Sequence, residues 1–210
     1  MKKSRGAGIL KNAVALDEFL DGIFGKCGIK ISVKTRIGFS SGEEMERLLE
    51  IYNKYPIPQL TIHPRTRADF YNGIPDMEVF EKAYLNSKNR VCYNGNVFSA
   101  DECRAIEENY PDLEGVMLGR GAVANPAIFR EIRGGEKLST AELVEFTERL
   151  CENYRFLLQS DVYTLNKLKE IWLYIMWNFP NEKKSLKIMR KTNNLSEFMF
   201  TVKNLPELNT

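Results

Sequence analysis

Four short apolar runs rich in β-branched residues, each one helix away from the next, constrain this chain more than any other feature of it. The runs are Ile29-Lys30-Ile31-Ser32-Val33, Gln59-Leu60-Thr61-Ile62, Arg90-Val91-Cys92-Tyr93 and Gly115-Val116-Met117-Leu118. They recur at roughly 25 to 30 residues, the length of one strand-plus-helix unit. Amphipathic helical patterns fill the gaps over residues 42–55, 76–85 and 99–109, and another precedes the first run at 13–27. Ser99-Ala100-Asp101-Glu102 reads as a helix start, with a hydroxyl at the cap and a glutamate three residues on. Strands that return to one sheet through helices run parallel, so the fold class is α/β.

Beyond about residue 138 the strand signal stops. Residues 140–159 and 164–179 carry long helical patterns, and 182–192 and 196–202 shorter ones. The Gly134-Gly135 pair is the natural break. An α/β part over residues 1–135 followed by a small all-helical domain over 136–210 is therefore expected.

With 210 residues, 43% hydrophobic and 28% charged, the chain has the make-up of a globular protein with one large domain, or a medium one plus an appendage. Thirty basic against twenty-eight acidic residues leave a net charge of +2, so any nucleic-acid surface must be a local patch. Cys27, Cys92, Cys103 and Cys151 form no Cys-x-x-Cys pair, which excludes the common zinc and dithiol motifs; no metal is expected. No apolar segment follows Met1-Lys2-Lys3-Ser4-Arg5-Gly6, and the greasiest stretch, residues 171–179, is about half of a membrane span. The expectation is a reduced cytoplasmic protein without a membrane partner.

Each apolar run is followed by a cluster of chemically capable side chains. The clusters are Lys34-Thr35-Arg36, His63-Pro64-Arg65-Thr66-Arg67, Asn94-Gly95-Asn96 and Gly119-Arg120-Gly121. Parallel α/β proteins bind ligands outside the carboxyl ends of their strands. The last two clusters are glycine turns leading into helices, where backbone N–H groups can cradle a phosphate, and Arg120 adds a bidentate partner. Together they predict a phosphorylated cofactor at the mouth of a barrel. Plainer readings stand beside this one. His63, the single histidine, also reads as a hydrogen-bonded strand residue, and Lys34 and Arg36 as solvated strand-end charges. The string Gly119-Arg120-Gly121-Ala122-Val123-Ala124 loosely matches a dinucleotide fingerprint, but helix follows where a second strand and its acid should stand.

Taken in order, these strings resemble the tRNA-dihydrouridine synthases, flavin enzymes that reduce uridines in transfer RNA. The resemblance rests on Arg5-Gly6-Ala7-Gly8-Ile9-Leu10, Val33-Lys34-Thr35-Arg36-Ile37-Gly38, Thr61-Ile62-His63-Pro64-Arg65-Thr66-Arg67, Tyr93-Asn94-Gly95-Asn96 and Val116-Met117-Leu118-Gly119-Arg120-Gly121-Ala122. Asn125-Pro126 and Phe129-Arg130-Glu131-Ile132 follow, and Lys167-Leu168-Lys169-Glu170-Ile171-Trp172 is similar to the family's helical domain. The resemblance implies a TIM barrel that holds FMN, with NADPH as reductant and tRNA as partner. It implies flavin contacts from Lys34 and His63, and phosphate contacts from Asn94, Gly95, Asn96, Gly119 and Arg120. Asn96 stands where the family often has an acid. Arg36, Arg65 and Arg67 are expected to meet RNA, as are Lys183, Lys184, Lys187, Arg190 and Lys191, of which Lys183, Lys187 and Arg190 or Lys191 recur on one helical face.

One departure stands out. The family's catalytic cysteine lies in an Asn-x-Gly-Cys-Pro motif just before the Arg-Gly-Ala-Gly string, and no Gly-Cys-Pro occurs in this chain. A barrel of about 250 residues has eight strands, so the resemblance implies the last four strands of a partial barrel and the C-terminal part of a synthase. In the family's chemistry the reduced flavin gives a hydride to uracil C6 and the cysteine protonates C5. A chain without that acid is expected to be inactive alone and to self-associate through open strand edges. Two alternatives remain: a flavin- or RNA-binding remnant without turnover, and another phosphate-binding barrel oxidoreductase.

Overall fold

Parallel pairing in strict chain order builds the first part of the molecule. The computed structural model describes residues 6–70 and 72–208; residues 1–5, with Arg5 of the Arg-Gly-Ala-Gly string, and Tyr71 lie outside them. A short 3-10 turn, Gly6–Lys11, leads into α1 (Ala13–Phe24), which is capped by Asn12 Oδ1 accepting from Val14 and Ala15 N–H. Then β1 (Val33–Gly38), α2 (Glu44–Tyr52), β2 (Leu60–Thr66), α3 (Met77–Asn86), β3 (Val91–Tyr93), α4 (Ala100–Asn109) and β4 (Gly115–Val116) alternate. The four strands pair in the order β1-β2-β3-β4, all parallel. Sequential order is the winding of a barrel wall; a doubly wound sheet reverses at a switch point. The fold is α/β, the four-strand part of a (β/α)8 barrel followed by helices.

The structure corrects the limits of the first two strands. Residues 29–32 precede β1, which begins only at Val33, where Val33 N–H meets Gln59 O at 3.0 Å. Lys34-Thr35-Arg36 and His63-Pro64-Arg65-Thr66 lie inside β1 and β2, not beyond them. Backbone pairing continues through Lys34↔Thr61, Thr35↔Ile62 and Arg36↔His63 whatever the side chains are. The apolar run stops because one face of the strand turns polar, not because the ladder ends.

Alternation then sorts the side chains. Val33, Thr35, Ile37, Leu60, Ile62, Val91 and Tyr93 share the helix-facing side. The Thr35 hydroxyl lies 2.8 Å from the Tyr52 hydroxyl of α2, and Phe80 of α3 meets Tyr93 edge to face at 4.9 Å. Burial pushes the Tyr52 hydroxyl up to about 12. Leu48, Tyr52, Leu60, Ile62 and Phe80 are fully enclosed there. Register slips once: Arg36 pairs with His63 but Gly38 with Thr66, so β2 carries one residue more than β1. The bulge falls at Pro64-Arg65, where proline has no N–H to leave unpaired.

The chain divides into two compact units, one reaching to Asn96 and including Ala105–Leu118, the other comprising Val97–Arg104 and the residues from Gly119 onward. The division thus falls ahead of the Gly134-Gly135 pair. In the second unit α5 (Arg120–Ala124) and α6 (Ile128–Ile132) are short; α7 (Thr140–Leu158), α8 (Asp161–Ile175), α9 (Lys183–Lys191) and α10 (Leu195–Lys203) build a helical core round Trp172, Leu168, Ile175 and Phe198. The box at the start of α4 forms as expected: Glu102 N–H donates to Ser99 Oγ at 3.1 Å, and Ser99 N–H to Glu102 Oε2 at 3.2 Å. No described helix is long and apolar enough to cross a membrane.

Close approach requires glycine at one position in the second unit. A Cβ on Gly121 would fall 2.0 Å from Val97 O, whereas one on Gly119 would meet nothing within 4 Å. Gly121→Ala should lower unfolding stability by about 1–3 kcal/mol, read as a lower urea midpoint at unchanged slope. Gly119→Ala should leave the midpoint near the wild-type value.

Candidate functional site

The face of the ladder opposite the helices carries the polar residues. Register sets Lys34, Thr61 and Cys92 in one row, and Arg36 beside His63 in the next row toward the carboxyl ends. Thr61 and His63 are buried, Lys34 remains accessible and Arg36 is half-buried. Lys34 Nζ donates to Asn94 Oδ1, while Asn94 Nδ2 donates to Met117 O at 2.6 Å. The Asn94 N–H is itself fixed on Ile62 O at 3.0 Å. One asparagine thus ties β1 to the segment leaving β4.

The electrostatics of this face are one-sided. Burial of the ammonium pushes the Lys34 pKa down, and the Arg36 guanidinium pushes it further; the weaker opposing influence is Cys92. Among the described residues no carboxylate relieves that strain. A partly desolvated cation beside a second cation favours an anionic partner. That donor set fits a phosphorylated, electron-rich cofactor better than a cationic one, and none of the described acidic, histidine or cysteine groups clusters to hold a metal.

The arginines of the two strands behave differently from one another. Arg36 donates to Thr66 O at 2.5 Å and Phe70 O at 2.8 Å, pinning the turn after β2. Arg65 is 1% exposed; its guanidinium donates to Asn72 O, to Gly73 O at 2.6 Å and to Asn96 Oδ1 at 3.4 Å. Buried this way, it organises the loop before α3 and meets Asn96. Arg67 alone of the three is exposed, its guanidinium 5.3 Å from the Phe39 ring and 5.7 Å from the Phe70 ring. Asp69 Oδ2 accepts from Thr66 N–H at 2.7 Å and Thr66 Oγ1 at 2.8 Å, which holds its carboxyl below the ordinary range. Reading the strand-end clusters missed both this acid and the Met117 carbonyl. The Thr66-x-x-Asp69 spacing, typical of side-chain-capped turns, could have shown the first.

Of the glycine turns, Gly95 has a packing reason: a Cβ there would lie 1.9 Å from the Tyr93 hydroxyl. In the second unit Gly119 caps α5, and the Arg120 guanidinium lies 5.8 Å from the Phe98 ring. Lys183, Lys184, Lys187, Arg190 and Lys191 are all exposed on α9, with Met189 buried on its other side. Lys169 Nζ donates to the terminal α9 carbonyls of Arg190, at 3.1 Å, and Thr192, placing a cation at the negative end of that helix.

The wound ladder, with Lys34 and Arg36 on its inner face toward the carboxyl ends of its strands, defines a barrel-type α/β protein. A sequence model of the dihydrouridine synthase family matches residues 1–207, and the chain belongs to that family. It is 30% identical over 159 residues to tRNA-dihydrouridine synthase B of Pseudomonas aeruginosa PAO1, covering 72% of this chain and 47% of that protein. The protein of the same name from Escherichia coli K12 is 27% identical over 191 residues, covering 86% of this chain and 59% of its own length. The Pseudomonas putida protein is 28% identical over 156 residues, 72% and 46% of the two lengths. The chain spans about half the length of the curated relatives it matches.

The buried fork of Arg65 gives a direct check. Arg65→Met should leave two loop carbonyls without their donors, each costing about 1–3 kcal/mol. Hydrogen exchange over residues 66–76 should accelerate, and Arg65→Lys should recover only part of the protection because a point cation cannot span both carbonyls.

Proposed function

We propose that this chain serves the FMN-dependent, NADPH-linked reduction of a tRNA uridine to 5,6-dihydrouridine, in the cytoplasm where tRNA is handled. The observation that carries the reading is the Lys34 ammonium, held by Asn94 Oδ1 beside the Arg36 guanidinium on the ligand side of the ladder. Membership of the dihydrouridine synthase family supplies the reaction class. Lys34, His63, Asn94, Gly95, Asn96, Gly119 and Arg120 are the residues assigned to hold FMN. When bound, FMN supplies the hydride carrier that amino-acid side chains lack. Lys34 gives the ligand a charge-assisted donor, Arg36 raises the local positive potential, and Asn94 holds Lys34 in one rotamer. Residues 1–135 are assigned to the cofactor and 136–210, with the basic face of α9, to tRNA.

A second reading, binding without turnover, is favoured by the placement of the thiols. Cys27 lies ahead of β1, at the amino end of the strand, whereas ligands meet the carboxyl ends. Cys103 and Cys151 are buried on α4 and α7, and burial pushes the Cys151 thiol up. Among the described residues Cys92 is the one thiol on the Lys34 face, enclosed within β3. A protein of residues 1–210 alone should therefore form dihydrouridine at a rate about 10²- to 10⁴-fold below that of an enzyme with a positioned acid.

The test is to purify residues 1–210 and measure flavin absorbance, then dihydrouridine after adding FMN, NADPH and unmodified tRNA. A retained or titratable flavin, weakened in Lys34→Met and Arg120→Ala, is the expected result; no flavin affinity at any concentration refutes the cofactor assignment. Turnover near 1 s⁻¹ would refute the loss of activity, and its disappearance in Cys92→Ser would identify the acid. Size exclusion reports whether the open edges of β1 and β4 draw copies together.

The RNA assignment has its own measurement. Neutralising Lys183, Lys187 and Arg190 together should flatten the slope of log affinity against log salt by about 2 to 3. An unaltered slope places the tRNA surface elsewhere.

A further inference from the structure

Two cations and two aromatic rings alternate at the carboxyl ends of β1 and β2. Lys11 Nζ stands 5.7 Å from the Phe39 ring centroid, and the Arg67 guanidinium lies 5.3 Å from Phe39 and 5.7 Å from Phe70. Lys11 and Arg67 are exposed and Phe70 is 59% exposed. Among the described residues neither cation enters an ion pair. The nearby acids are engaged otherwise: Glu44 accepts the N–H groups of Phe39, Ser40 and Ser41 at 2.8–2.9 Å, and Asp69 is held by Thr66.

The display of Phe70 is built, and it is not a relaxed one. Its φ is +51°, a left-handed conformation that a bulky side chain adopts only when its surroundings impose it. The imposing contacts are on both sides: Arg36 Nη2 holds Phe70 O at 2.8 Å, and Ala68 N–H is fixed on Phe39 O at 3.0 Å. Hydrophobic burial does not explain the posture, since the ring is turned mostly to solvent. An exposed ring on a pinned backbone beside unneutralised cations is the arrangement that receives an unpaired nucleotide: the base stacks on the ring and its phosphates meet the cations.

We propose that Lys11, Phe39, Arg67 and Phe70 form a stacking platform for an unpaired nucleotide of single-stranded RNA. This rests on the RNA reading above and goes beyond it, placing a contact on the strand-bearing unit in addition to the α9 face. Unpaired bases are what an enzyme acting on a nucleobase must grip, because the target has to leave its stack.

The test uses the full chain and two fluorescent ligands, a uridine oligonucleotide of about 12 residues and a duplex of equal length. Phe70→Ala should weaken the oligonucleotide by about 5- to 100-fold without altering its salt slope, and leave the duplex nearly unchanged. Phe70→Trp should bind at least as tightly as wild type. Phe70→Gly, which relieves the left-handed backbone, should keep or raise the thermal midpoint yet bind as weakly as Phe70→Ala; that combination separates stacking from a folding defect. Lys11→Gln and Arg67→Gln should each flatten the salt slope by about 0.7. Wild-type binding with all Phe70 variants unchanged overturns the platform and leaves the RNA reading standing. Equal losses on oligonucleotide and duplex overturn the unpaired-base contact, and a wild-type chain that binds neither RNA overturns both readings.

Discussion

The register of β1 against β2 is the constraint on which the rest of this structure depends. Pairing Lys34 with Thr61 and Arg36 with His63 decides at one stroke which side chains meet the helices and which meet the ligand side. A slip of one residue would put the two cations among Tyr52 and Phe80 and turn Ile37 outward. The placing of Lys34, its bond to Asn94, and the pinning of the turn after β2 by Arg36 all follow from that pairing.

Much of this was legible in the residues. The alternation of strand and helix needed only the spacing of four β-branched runs, and the helical second part needed only their disappearance. The capping box of α4 was legible because both partners lie within four residues. Strand limits were less so. An apolar run ends where one face becomes polar, and a strand ends where its neighbour does; only the second depends on residues far away in sequence. Hence Ile29 reads as strand yet is exposed ahead of β1, while Arg36 and His63 read as strand-end residues yet are paired.

The arginines show the same limit at the candidate site. Arg36, Arg65 and Arg67 are alike to composition and motif, but the fold gives them three jobs. One pins a turn, one is enclosed among loop carbonyls, and one lies across two rings. The difference comes from the bulge at Pro64-Arg65 and from loop carbonyls that no local pattern predicts. Lys11 and Phe39 are invisible to sequence reasoning for a similar reason: neither belongs to a periodic face, and the Phe39 ring meets Lys11 and Arg67 from segments far apart in sequence.

The extra residue in β2 has a consequence for how the chain finds its fold. A regular parallel ladder that slides by two residues keeps every side chain on its proper face, so hydrophobic patterning alone does little to forbid that error. Here the ladder carries a landmark: its irregularity sits where Pro64 has no N–H to be left unsatisfied, and a bulge displaced along β2 would leave a neighbouring N–H to be satisfied elsewhere. The proline therefore works as an index mark. It makes one alignment of the two strands distinguishable from its near-equivalents.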